Sequence, residues 1–242
     1  MTKSENEERR QNILDVASDL FLQYGYDKTT VSDIARGAGV SKGAIYLHFN
    51  SKDALLEALW LRETRKYVSR LLDLLEDDPD GGRIGTLYRI SLVAMNASPF
   101  MAAIYSQDNN VFGNYLRKPG NIFQKMRERQ QVQPRLRFVT LMQEAGAIRK
   151  DIDPSIVAHI MTSIGFGLIA VGEILEPQYI PPLEDVFNGL GDFMDRALTP
   201  EDGGNPDAAL AIFRQMYAAG EQQMETIQQH GFESSNPSNS ER

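Results

Sequence analysis

The sequence predicts an all-α protein in which a group of three short N-terminal helices precedes a larger helical domain. Three observations carry that expectation. Apolar residues recur at three- and four-residue spacing along most of the 242 residues, the signature of amphipathic helices. No stretch alternates with period two for long enough to suggest a sheet. Between the periodic stretches stand Gly, Pro and hydroxyl-bearing residues of the kind that start and stop helices.

From Ile13 the apolar positions fall at 13, 14, 17, 20, 21 and 24, and Gly25 closes this first helix in the place that suits a left-handed C′ residue. Thr30 then stands three residues before Asp33, a capping box with Asp in place of Glu, and predicts a short helix from Val31 to Ala38. Gly39-Val40-Ser41 turns the chain. Ser41 caps a third helix over 42–49, and Asn50 or Ser51 caps a long one over 52–76. Asp78-Pro79-Asp80-Gly81-Gly82 is a break. Further helices are expected over 83–97, 99–107 and 121–132, with a less regular aromatic piece at 110–117, and Pro134 either starts or kinks the next helix, which runs to about Ala147. Pro154 opens one that runs to Leu175, and Pro181-Pro182 precede another over 183–198.

Composition bounds the chemistry. A hydrophobic fraction of 42% is enough for a real core. With no cysteine there is neither a disulfide framework nor a thiolate nucleophile or metal ligand. The N-terminal MTKSENEERR lacks the apolar run of a signal peptide, so a cytoplasmic protein is expected. The segment over 156–175 has the length of a membrane span but contains His159, Thr162, Ser163 and Glu173 and lacks flanking anchors. It reads instead as a helix buried on nearly all sides, with His159 a core histidine and Gly165, Ala170 and Gly172 permitting close approach of another helix.

The formal charge is −8 with a pI near 5.0, unlike a protein coated with basic residues. Locally the sign reverses: residues 28–52 hold Lys28, Arg36, Lys42 and Lys52 against Asp33 alone. Two short helices joined by a Gly-containing turn form a helix-turn-helix, whose second helix can enter a DNA major groove. A helix over 42–49 is about 12 Å long at 1.5 Å per residue, comparable to a groove about 12 Å wide. Ser41 and Lys42 stand at its exposed start, and Gly43 and Ala44 keep that end slim.

Residues 10–59 resemble the N-terminal domain of TetR/AcrR-family transcriptional regulators. The resemblance is carried by Phe21, Gly25, Thr29-Thr30-Val31, Ile34-Ala35, Ala38-Gly39-Val40-Ser41, Gly43, Tyr46, His48-Phe49, Lys52 and Leu55. It implies a homodimer that binds a pseudo-palindromic double-stranded DNA operator, most often as a repressor, and a C-terminal domain that dimerises and takes a small-molecule effector. It implies phosphate contacts from Thr30, Tyr46, His48 and Lys52, and base contacts from Ser32, Lys42, Gly43, Ala44 and Leu47. Residues 145–157 resemble the approach to the family's penultimate dimer helix, and the small residues Gly165, Ala170 and Gly172 beyond it are the candidate dimer interface because they would let a symmetry mate pack closely.

The expected organisation is a DNA-binding domain over 1–51, a ligand-binding and dimerisation domain over 52–198, a linker over 199–206, an additional helix over 207–229 and a disordered tail over 230–242. Met95, Phe100, Tyr105, Phe112, Phe138, Met142 and Phe166 are the candidate lining of a site for an apolar or amphipathic effector. The three histidines, at 48, 159 and 230, are too scattered for a triad or metal cluster, and no phosphate-binding Gly-rich loop is evident. Neither catalysis nor a cofactor is expected. A helical adaptor acting through protein contacts is the alternative, and retention of promoter DNA separates the two.

Overall fold

The structure, a computed structural model, describes residues 3–129 and 133–230. The described residues form twelve α-helices and two 3-10 segments, without a strand. The helices are α1 (Lys3–Tyr24), α2 (Val31–Gly37), α3 (Lys42–Tyr46), α4 (Lys52–Asp77), α5 (Ile84–Asn96), α6 (Pro99–Ser106), α7 (Asn109–Phe112), α8 (Ile122–Arg129), α9 (Pro134–Glu144), α10 (Pro154–Ile174), α11 (Leu183–Leu198) and α12 (Pro206–His230). The all-helical architecture matches the expectation. The end of the helix anticipated over 121–132 and the tail beyond 230 lie outside the described residues.

Two boundaries differ. The first helix begins at Lys3, well ahead of its apolar stripe, because Ser4–Glu8 and Gln11–Glu7 side-chain bonds across one turn support an exposed polar stretch. The third is only five residues long and gives way to a turn at Leu47–His48. Its Ile45 carbonyl accepts from both His48 and Phe49 backbone N–H groups at 2.9 Å, which tightens the last turn.

Two compact units divide the chain, Met1–Arg65 with Pro99–Arg129 and Lys66–Ser98 with Gln130–Arg242. The first unit thus includes α6 to α8, a grouping that local sequence pattern does not reveal. Its core holds Ile13, Leu14, Phe21, Ile34, Ile45, Leu55, Leu56 and Leu59, all with at most 1% of their surface exposed. Gly25, at φ +80°, lets Tyr26 turn back so that its N–H donates to the Val111 carbonyl at 2.7 Å. A Cβ at Gly25 would lie 2.5 Å from the Asn110 oxygen, so backbone angle and space both demand glycine.

The second unit packs around Leu75, Val139, Met142, Ile148 and Ala209, which are fully buried, and around Tyr88 and Met161. Helices α5 and α11 approach so closely that a Cβ on Gly85 would lie 2.2 Å from the Gly191 carbonyl oxygen. Asp195 locks this crossing, accepting from the Gly85 N–H at 2.8 Å and from Arg83 Nε at 2.9 Å. α12 adds Ala209 to the same core, with Leu210, Ile212 and Phe213 packed against it.

Candidate functional site

The helix-turn-helix is set by its caps. Thr30 Oγ1 accepts the Asp33 N–H and donates to Asp33 Oδ2 at 2.6 Å, while the Thr30 N–H donates to the same carboxylate at 3.1 Å. Those bonds, with Arg36 adding a third partner, hold the Asp33 carboxyl below the usual carboxylate range. Ala38 closes α2, Gly39 adopts φ +65°, and Val40 N–H returns to the Ala35 carbonyl at 3.0 Å. Ser41 Oγ then accepts the Ala44 N–H at 3.1 Å and opens α3.

α3 pins itself through Ile45, which is 1% exposed, with Phe49 just beyond also buried. The opposite side is open. Ser32, Ser41, Lys42, Gly43, Tyr46 and Leu47 are exposed and Ala44 is half-buried. Leu47 is 84% exposed, an unusual setting for a leucine beside a buried core, and Tyr46 presents its ring to solvent at 46%. Thus Ser41, Lys42, Gly43, Tyr46 and Leu47, in the turn, α3 and the turn just after it, are open to solvent, as is Ser32 on α2.

Three of the expected phosphate contacts have other work as well. The Thr30 hydroxyl is engaged in the cap. Lys52 Nζ donates to the carbonyls of Tyr26 at 2.7 Å and Thr29 at 2.9 Å, and lies 3.9 Å from the Tyr26 ring centroid. Burial, then the neighbouring Lys118 ammonium, lower its pKa. Lys52 therefore fixes the α1–α2 connection to α4, and only its remaining N–H is left for a phosphate. His48 is half-buried, its ring 6.1 Å from that of Phe49. Burial, then Arg10 and Arg9, push its pKa down, which favours the neutral ring in the free protein.

A cluster that the sequence did not indicate secures the start of α4. Lys118 Nζ pairs with Asp53 at 2.8 Å and approaches the Tyr26 hydroxyl at 3.1 Å, and that hydroxyl itself donates to Asp53. Burial resists the Asp53 charge, but Lys118, Tyr26 and Lys52 outweigh it and leave the carboxyl lowered. One helical turn on, Lys125 pairs with Glu57 at 2.8 Å. Partners 65 and 68 residues apart leave no local signal in a sequence.

The second unit contains a cavity of about 290 Å³ lined by Tyr67, Leu71, Ile84, Leu87, Tyr88, Ser91, Pro134, Arg135, Phe138, Met161 and Phe213. Of the seven expected lining residues only Phe138 belongs to it. Phe100 and Phe112 are buried in the first unit, where Phe112 meets Phe100 and Phe123 edge-on at 5.8 and 5.0 Å, and Tyr105 lies in that unit too. Met142 is fully buried core, Met95 does not line the cavity, and Phe166 is 47% exposed. Ring content alone does not separate a wall from a core. Tyr67 on α4 and Phe213 on α12 line the cavity without having been singled out by their ring content.

The expected interface residues also separate. Gly165 is buried within its own chain, Ala170 is half-buried, and Gly172 is exposed, with nothing within 4 Å of where a Cβ would stand. His159 is exposed rather than core. α10 is not buried on nearly all sides: Ile156, Ile160, Phe166 and Ile174 stay exposed, and only 22% of its most apolar stretch is buried. By length and composition it would suffice to cross a membrane.

Residues 13–59 match the family model described as "Bacterial regulatory proteins, tetR family". The chain is 51% identical over 59 residues to the HTH-type transcriptional regulator AcrR of Shigella flexneri, covering 24% of this chain and 27% of that one. It is 39% identical over 97 residues to the HTH-type transcriptional regulator TtgR of Pseudomonas putida, covering 39% and 45%. The match thus spans less than half the length of either relative. A solved transcriptional regulator from Aquifex aeolicus VF5 shares the fold at TM-score 0.54 and 21% identity, over 78% of this chain and 98% of that one.

Proposed function

With residues 13–59 a member of the tetR family of bacterial regulatory proteins, we propose that the protein is a DNA-binding transcriptional regulator. In this reading it is a repressor that binds a pseudo-palindromic operator as a homodimer and is released by a small apolar or amphipathic effector. The observation that carries the reading is the exposed surface around α3, with Lys42, Tyr46 and Leu47 open to solvent beside the buried Ile45 and Phe49.

Residue types on that surface suit the task. Lys42 can donate to guanine O6 and N7, and Leu47 offers apolar contact to a thymine methyl. Tyr46, His48 and the free N–H of Lys52 face the sugar–phosphate backbone, contacts that position the protein without reading sequence. The N-terminal segment supplies recognition, and the second unit supplies the effector cavity and the partner-facing helices α10 and α11. Their exposed Ile160, Phe166 and Phe193 are covered in this reading by a second copy of the chain. A cytoplasmic location follows from the role.

The test is retention of DNA in a gel. Fragments of the source genome selected by the protein should compete against bulk DNA, and Lys42→Ala should relax preference at one symmetric pair of positions, by about 1–3 kcal/mol per half-site. A protein that retards every sequence equally, or none, would leave the adaptor reading in place.

A further inference from the structure

We propose that the cavity of the second unit takes an anionic amphiphile, with the apolar body among its side chains and a carboxylate or phosphate head on Arg135. The proposal rests on the effector-responsive reading above and assigns the chemical class of that effector.

The wall is mostly hydrocarbon and aromatic ring, with Leu71, Leu87, Phe138, Met161 and Phe213 prominent. Its volume of about 290 Å³ holds about ten heavy atoms at the ~30 Å³ that one water takes in the liquid. Hydroxyls do reach the wall, but each donates to a carbonyl of the protein. Tyr67 donates to Ser91 at 3.3 Å, Tyr88 to Met161 at 2.7 Å and Ser91 to Tyr88 at 2.6 Å. Donors spent in this way offer a neutral polar head little to hold.

Arg135 is different. It stands in the first turn of α9, half-exposed, and makes no ion pair or hydrogen bond among the described residues. Elsewhere in this unit Arg83, Arg89, Arg149 and Arg214 each pair with a carboxylate at 2.5–2.9 Å, while Arg70, Arg137 and Arg196, which like Arg135 make no such pair among the described residues, do not line the cavity. Among the described residues no acidic side chain lines the cavity, so a cationic amphiphile finds no countercharge from them. The planar guanidinium fork matches a carboxylate or phosphate with two parallel donors, and the positive end of α9 adds to the attraction. A low-dielectric wall beside the pair strengthens it further.

Four probes sharing a ten-carbon chain test the assignment by calorimetric titration into the full chain, each below its micellar concentration: decanoate, decyl phosphate, decanol and decyltrimethylammonium. At least one anion should bind tenfold or more tighter than decanol, and the cation weakest of all. Arg135→Gln should bring the anions to the level of decanol while leaving decanol unchanged, and Phe138→Trp, which narrows the cavity, should weaken all that bind. Equal binding of decanol and both anions, tightest binding of the cation, or no binding by any probe would overturn the proposal. Gel retention of operator DNA, run separately, judges the regulator reading: its loss would sink that reading whatever the titrations show, and its success would survive their failure.

Discussion

His48 shows how a single side chain can carry the right name and a different charge. Its pKa is lowered chiefly by burial, so the folded protein prefers the neutral ring. The stability this contributes is complete above the ordinary histidine value of about 6.5 and is lost as pH falls through the lower folded value, because the unfolded chain takes up the proton first. The His48 ring resonances should accordingly titrate below 6.5 in NMR, and a titration at or above that value would contradict the buried placement. Lys52 and Lys42 form a contrasting pair. Lys52→Ala removes the donor to two carbonyls and should destabilise the protein by about 1–3 kcal/mol in chemical denaturation. Lys42→Ala, at an exposed position, should change stability by less than about 0.5 kcal/mol while altering DNA selection.

Helix starts were legible because they depend on neighbours in the chain. Thr30 with Asp33 and Ser41 with Ala44 are bonds across three residues, and each cap stands where its residue type implies. The length of α3 was not legible, since it is set by where Ile45 and Phe49 bury rather than by propensity. Nor was the crossing of α5 and α11, whose contact joins residues more than 100 positions apart. Small residues in α10 suggested a close helix seam, yet within the chain two helices meet at glycine in the crossing of Gly85 and Gly191. Gly85→Val should therefore cost about 1–3 kcal/mol through forced displacement of backbone. A variant as stable as the parent in urea would show that the two helices stand further apart.

At the scale of the whole molecule, the exposed apolar faces of α10 and α11 call for a cover. In the proposed reading a second copy related by a twofold axis provides it with one self-complementary surface. Gly172→Trp meets no atom of its own chain within 4 Å of the new Cβ, so it should leave the fold intact and split or weaken the dimer in sedimentation. A Gly172→Trp variant that remains fully dimeric would remove this part of α10 from the seam. Dimerisation in turn sets what DNA must look like, because two copies of α3 reach successive major grooves only when half-sites lie about 34–36 Å apart or at a multiple of that. Selection of bound sequences from random DNA reads this out directly. The account predicts enrichment of a pseudo-palindrome at such a spacing, with specificity at one symmetric pair of positions lost in Lys42→Ala; no enrichment, or an enriched motif that Lys42→Ala and Leu47→Ala leave unchanged, would contradict it.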